Sequence, residues 1–193
     1  MKKTVTLFLV GIMILTLFGC GNKQGSSSEG EENETSKYAT SLEVLQAVLE
    51  VYKEEDLFAI YGGNQENAIM DAPGTFDISK TEELETTLGL PESQISNIDD
   101  AASMVHMMNA NTFTGATYHL KEGIDINDFA DTTKSNILGK TWLCGQPDTL
   151  LIIDVGGSYV ITAYGEVKIM ETFKTNVLSA ISGAKVIVEV SIA

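Results

Sequence analysis

LLIIDVGGSYVITAYG, residues 150–165, sets two apolar runs on either side of a glycine pair. Gly156 and Gly157 tolerate the positive φ that tight primed turns require, so the stretch predicts a β-hairpin with strands over 150–155 and 158–164. A hairpin commits this part of the chain to antiparallel pairing. Downstream, residues 166–181 carry Val167, Ile169, Met170, Phe173, Val177 and Ile181 at helical spacing, which predicts an amphipathic helix with these side chains inward. Residues 185–192 predict a closing strand, with Val186, Val188 and Val190 on one face.

Upstream, residues 141–144 predict a short strand. Residues 125–138 predict a helix whose inner face is Ile126, Phe129, Ala130, Thr133 and Ile137. Its acidic start (Asp125, Asp128, Asp131) and basic end (Lys134, Lys140) suit the helix dipole, and Gly139 stops it. Residues 95–108 contain a strand, strongest over 103–108, and 112–120 its partner, joined through Asn109-Ala110-Asn111. Ser79 with Glu82 predicts a capping box opening a short helix stopped by Gly89 and Pro91. Thr40 with Glu43 predicts another, ahead of Leu42, Leu45, Val48, Leu49 and Tyr52 at helical spacing. Residues 57–61 predict a strand ended by Gly62-Gly63, and 64–75 irregular chain. Hairpins dominate the connections. The expected fold is therefore α+β, a mainly antiparallel sheet with helices packed on one face, as a single domain over 38–193.

Ahead of that domain, Lys2 and Lys3 precede an almost unbroken apolar run to Gly19, the layout of a secretory signal over 1–19. Leu17-Phe18-Gly19-Cys20 resembles a bacterial lipobox, which implies cleavage before Cys20 and lipidation of its sulfur; Phe18 departs from the small residue usual at its position. Residues 20–37 after the cysteine hold no apolar side chain, and Glu29, Glu31, Glu32 and Glu34 repel one another. That composition predicts a flexible acidic tether between a lipid anchor and the folded domain. The expected location is the extracytoplasmic face of the cell membrane, with the membrane itself as a partner through a palmitate-type acyl group on Cys20.

The formal net charge is −15, and loss of residues 1–19 removes two lysines and no acid, leaving −17. No arginine occurs. A nucleic-acid partner is excluded by the missing basic footprint, and an envelope protein or cationic peptide is the electrostatically expected one. With Cys20 committed to lipid, Cys144 has no partner for a disulfide. Trp142-Leu143-Cys144-Gly145-Gln146-Pro147 invites comparison with a thioredoxin site, but the second thiol is missing, so Trp142 and Cys144 are read as packing residues on one face of a strand. Met104, His106 and Met108 share one face of a strand, with His119 on the neighbouring strand; thioether and imidazole suit Cu(I), and methionine also fills cores, so these are weak metal candidates set against an expectation of no cofactor. Asp125-Ile126-Asn127-Asp128 lacks the glycine of a calcium loop and reads as an acidic helix start. Cys144 paired with His106 or His119 is the one enzymatic alternative. No Gly-x-Ser-x-Gly or His-Glu-x-x-His occurs.

One series of short motifs points to a family. DISKTEELETTLGL (77–90), then GID (123–125), KTWLCGQPDTL (140–150) and ITAYGEV (161–167) occur in this order over about half of the chain. The series is similar to small Firmicutes lipoproteins labelled bacteriocin transport accessory protein, which carry an Asp-x-Ser/Thr helix start, Gly-Leu, Gly-Ile-Asp, Trp-Ile-Cys and Tyr-Gly-Asp; here the last is Tyr164-Gly165-Glu166. The resemblance implies a role as an accessory in peptide export and names no mechanism. The combined expectation is a non-enzymatic, lipid-anchored binding protein of the cell envelope.

Overall fold

The computed structural model describes residues 37–143 and 145–192. The expected signal segment over 1–19, Cys20, almost all of the expected tether over 20–37 and Cys144 lie outside the described residues. The elements in order are α1 (Ser41–Glu50), a 3-10 turn (Glu54–Asp56), β1 (Ile60–Gly62), a second 3-10 turn (Gln65–Asn67), β2 (Ile69–Met70), β3 (Gly74–Thr75), α2 (Thr81–Leu88) and α3 (Glu92–Ile95). Then come β4 (Ile98–His106), β5 (Phe113–Leu120), α4 (Ile126–Leu138), β6 (Thr149–Gly156), β7 (Tyr159–Gly165), α5 (Val167–Ala180) and β8 (Lys185–Ser191). The strands form one sheet in the order β2-β1-β4-β5-β7-β6-β8, with β3 also paired to β4, and every pairing is antiparallel. The class is α+β. Among the described residues no helix is long and apolar enough to cross a membrane.

The helices occupy both faces of the sheet, not one. Val44, Leu45 and Val48 of α1 and Met170, Phe173 and Val177 of α5 pack with Leu151, Ile153, Ile161 and Ala163. Leu84 and Leu88 of α2 and Phe129, Ala130 and Ile137 of α4 pack with Leu150, Ile152, Val160 and Tyr164. The reason lies in the unbroken apolar run of β6. Successive side chains point to opposite faces, so a strand with no polar alternation needs cover on both. All seven residues of β7 are buried.

The hairpin forms one residue later than the glycine pair suggests. Gly156 pairs with Tyr159, and a register shift separates that pair from Asp154–Val160. The turn is Gly157-Ser158, both at positive φ (58° and 67°), and Gly156 at φ 83° sits in the bulge before it. A left-handed glycine in a bulge beside a two-residue turn lets the strands keep their right-handed twist. A second bulge alters β8. Ile152 pairs with Val188 but Ile153 with Val186, so one residue is extra. Val186 therefore faces the α1–α5 layer, while Val188 and Val190 face the α2–α4 layer, and the three do not share a face.

Local signals set the helix ends. Thr40 Oγ1 accepts from Glu43 N at 3.2 Å, and the Glu43 carboxylate accepts from Ala39 N at 2.8 Å, a capping box displaced by one residue on its return arm. Asp100 on β4 fastens the same end by accepting from Ser41 N at 2.6 Å. The second expected box does not form. Lys80 precedes α2 without a side-chain cap, and Ser79 N donates to Asp77 instead. Gly89 at φ 75° closes α2, its N–H donating to the Glu85 carbonyl. Asp125 caps α4 by accepting from Asn127 N and Asp128 N. In α5, Val167 is exposed and not inward, at the first residue of the helix. Residues 141–143 form no strand, and the expected strand over 57–61 is reduced to β1.

Candidate functional site

The segment between α1 and β1 positions the most developed surface feature among the described residues. Helix α1 ends at Glu50, and residues 53–56 turn through three consecutive acids. The chain then comes back across the sheet end, presenting Leu57 outward and Phe58 inward. Phe58 stacks on His106 with ring centroids 5.6 Å apart and meets Phe113 edge-on at 5.3 Å. Tyr52 stands edge-on to Phe58 at 6.4 Å. Burial drives the Tyr52 hydroxyl above its usual pKa.

Two adjoining hollows share this Tyr52–Phe58 wall. One lies between Tyr52, Glu55, Asp56, Phe58 and the start of α5 at Lys168, Ile169 and Thr172. The other, mostly apolar, is floored by Leu49, Leu57, Phe58, Ala59 and Ile60 and edged by Asp71. Their combined rim carries three carboxylates (Glu55, Asp56, Asp71) against one ammonium, Lys168. Large apolar side chains stand exposed along the same end of the sheet. Leu57 is 52 % exposed, Met70 59 % and Met108 84 %, with Ile69 and Met107 also open. Backbone pairing holds them together: Met107 N donates to Ala59 O, Asp71 N to Ile60 O, and Met70 lies opposite Tyr61. An acidic rim over an apolar floor, with exposed methionines beside it, accommodates an apolar surface that carries positive charge.

The four weak metal candidates are not brought together. Met104 is fully buried opposite Gly115, and His119 lies opposite Asp100, four residues further along the ladder, roughly 13 Å away at about 3.3 Å per residue. His106 is half-buried, and its Nδ1 accepts from Met108 N at 3.2 Å and Asn109 N at 3.3 Å. Those two bonds end β4 and turn Met108 out to solvent, past the strand face it was expected to share. His119 Nδ1 lies 2.5 Å from Asp99 Oδ1, and its ring rests against Tyr159 at 4.6 Å. Among the described residues no group of three His, Cys, Asp or Glu side chains could hold a metal ion. A pairing of either histidine with Cys144 falls outside the described residues. Trp142 packs edge-on to Tyr164 at 5.3 Å, so its reading as a packing residue holds, though on a loop and not a strand.

Sequence reasoning missed the groove because its walls belong to different elements. Tyr52 is legible only as the last member of a helical face and Phe58 only as part of a strand. The available signal was the acidic run Glu54-Glu55-Asp56 placed between two apolar segments. No protein-family model matches the chain, and neither a curated protein nor a solved structure matches it.

Proposed function

We propose that the chain is a lipid-anchored protein on the outer face of the cell membrane that binds a cationic, apolar-rich peptide without chemically altering it, in the export-accessory role that the lipoprotein resemblance implies. The observation that carries the binding part is the Tyr52–Phe58 groove, apolar in its floor and rimmed by Glu55, Asp56 and Asp71. Apolar contact supplies affinity that salt does not screen; the carboxylates favour lysine-bearing partners and speed encounter. Exposed methionines repack around varied side chains, which fits a surface that accepts more than one peptide sequence. The anchor part rests on the lipobox ending at Cys20 and the acidic stretch behind it.

The test is calorimetric titration of the intact protein with a short amphipathic lysine–leucine peptide. Replacing Asp56 and Asp71 together by Asn is expected to weaken binding about tenfold at 0.15 M salt and to flatten its salt dependence. Leu57→Ser, at an exposed site, is expected to weaken binding at every salt concentration. Unchanged affinity in both variants would remove the groove as the binding site. Cys20→Ser is expected to release the protein from the membrane fraction, and full retention would refute the anchor.

A further inference from the structure

On the opposite side of the β4–β5 turn, the loop after α4 builds a second and chemically different cleft. Its walls are Thr86 of α2, Asn109 and Asn111 of the turn, Lys140, Trp142 and Tyr164. Lys140 stands over two aromatic rings, 5.2 Å from the Trp142 centroid and 5.7 Å from that of Tyr164. Its Nζ donates one hydrogen bond, to the Thr86 carbonyl at 3.0 Å. An ammonium has three N–H groups, so two remain without an oxygen acceptor among the described residues. Unlike Lys80, Lys134 and Lys174, it has no carboxylate within ion-pair distance. Partial burial holds its pKa below that of an ordinary lysine, and the Glu85 carboxylate, outside ion-pair distance, opposes this only in part. The Trp142 indole N–H is buried and likewise has no acceptor. Asn111 spends its amide donor on Gly145 O at 2.6 Å, which ties the following loop to the cleft wall.

In a protein of net charge −15, this cleft thus holds an ammonium with two N–H groups unspent among the described residues. We propose that this cleft binds a carboxylate monoanion, with Lys140 as its charge partner and the Trp142 and Tyr164 rings beside it. One ammonium balances one negative charge. A phosphate dianion would be left half-compensated, and the chain has no arginine to complete it. The Trp142 and Tyr164 rings and the outward Leu143, 90 % exposed, give an apolar flank for the carbon chain of the acid. The carboxylate can be that of a peptide C-terminus or of a free small acid.

The chain has one tryptophan, so its fluorescence reports on this cleft alone. The intact protein in mild detergent is titrated with N-acetyl-leucyl-alanine, with the α-amide of the same dipeptide, and with propionate. None of these carries positive charge, so the result is independent of the acidic groove. The expected result is a saturable fluorescence change with the free acid and at least tenfold weaker binding of the amide. Lys140→Gln is expected to abolish the difference between acid and amide while leaving circular dichroism unchanged. Propionate displacing the dipeptide at equal concentration would assign the site to small free acids; much weaker displacement would assign it to peptide C-termini. Equal binding of acid and amide, no saturable change with any of the three, or undiminished acid binding by Lys140→Gln would each overturn the proposal. Lys140→Arg, which keeps the charge, supplies a second check: loss of binding there as complete as in Lys140→Gln would contradict a charge partnership.

Discussion

Gly62 and Gly156 carry different physical burdens. A Cβ on Gly62 would lie 2.0 Å from Gly74 N and 2.6 Å from Ser103 O, where β1 and β3 converge beside β4. A Cβ on Gly156 would meet nothing within 4 Å, and its constraint is only the φ of 83°. Gly62→Ala forces backbone apart and is expected to cost about 3 kcal/mol or more. Gly156→Ala is expected to cost about 1–2 kcal/mol, the ordinary penalty of a left-handed non-glycine residue. Urea denaturation of the two variants checks the ranking. Equal costs would mean that the close approach at Gly62 is relieved by movement of its neighbours.

At the scale of elements, α1 depends on bonds at its N-terminus. Thr40→Ala removes the acceptor for Glu43 N and is expected to lower stability by about 1 kcal/mol in thermal unfolding. Helices and long strands were legible in the sequence because each carries its own period: α4 with its Asp125 cap, α5, and the hairpin of β6 and β7 all lie within a residue or two of expectation. Three kinds of feature were not legible. Placing helices on two faces depends on which strands are central, which is a matter of sheet order. The bulge that turns Val186 away from Val188 inserts one residue against a partner strand, so it exists only in the pairing. Failure of the Ser79 box arises because Asp77 competes for the Ser79 N–H. The candidate site was the least legible of all. His106, a weak metal candidate in the sequence, accepts the two backbone bonds that close a turn, and the Phe58 ring stacked on it comes from about fifty positions earlier in the chain.

Taken whole, the fold withholds its tyrosines from ionisation. All six, Tyr38, Tyr52, Tyr61, Tyr118, Tyr159 and Tyr164, have pKa values raised by burial, Tyr164 to about 12. A raised folded pKa means that the native state keeps protons the unfolded chain releases. The stabilising contribution is therefore complete below the unfolded value of roughly 10 and is lost as pH rises through the folded values. Absorbance at the tyrosinate band is expected to titrate near pH 10 in concentrated urea, and in buffer only at higher pH, together with loss of circular dichroism. Tyrosinate appearing near pH 10 with native dichroism intact would show that these hydroxyls are open to solvent.

The acid-rimmed groove proposed for a cationic peptide and the Lys140 cleft proposed for a carboxylate lie on two sides of the β4–β5 turn. The most direct measurement is a backbone amide chemical-shift map of the isotopically labelled protein during titration with the lysine–leucine peptide. The account predicts that the perturbed amides cluster at residues 49–60, 69–71, 106–108 and 168–172. Perturbations centred on the outer faces of α2 and α4, or a spectrum unchanged at saturating peptide, would contradict it.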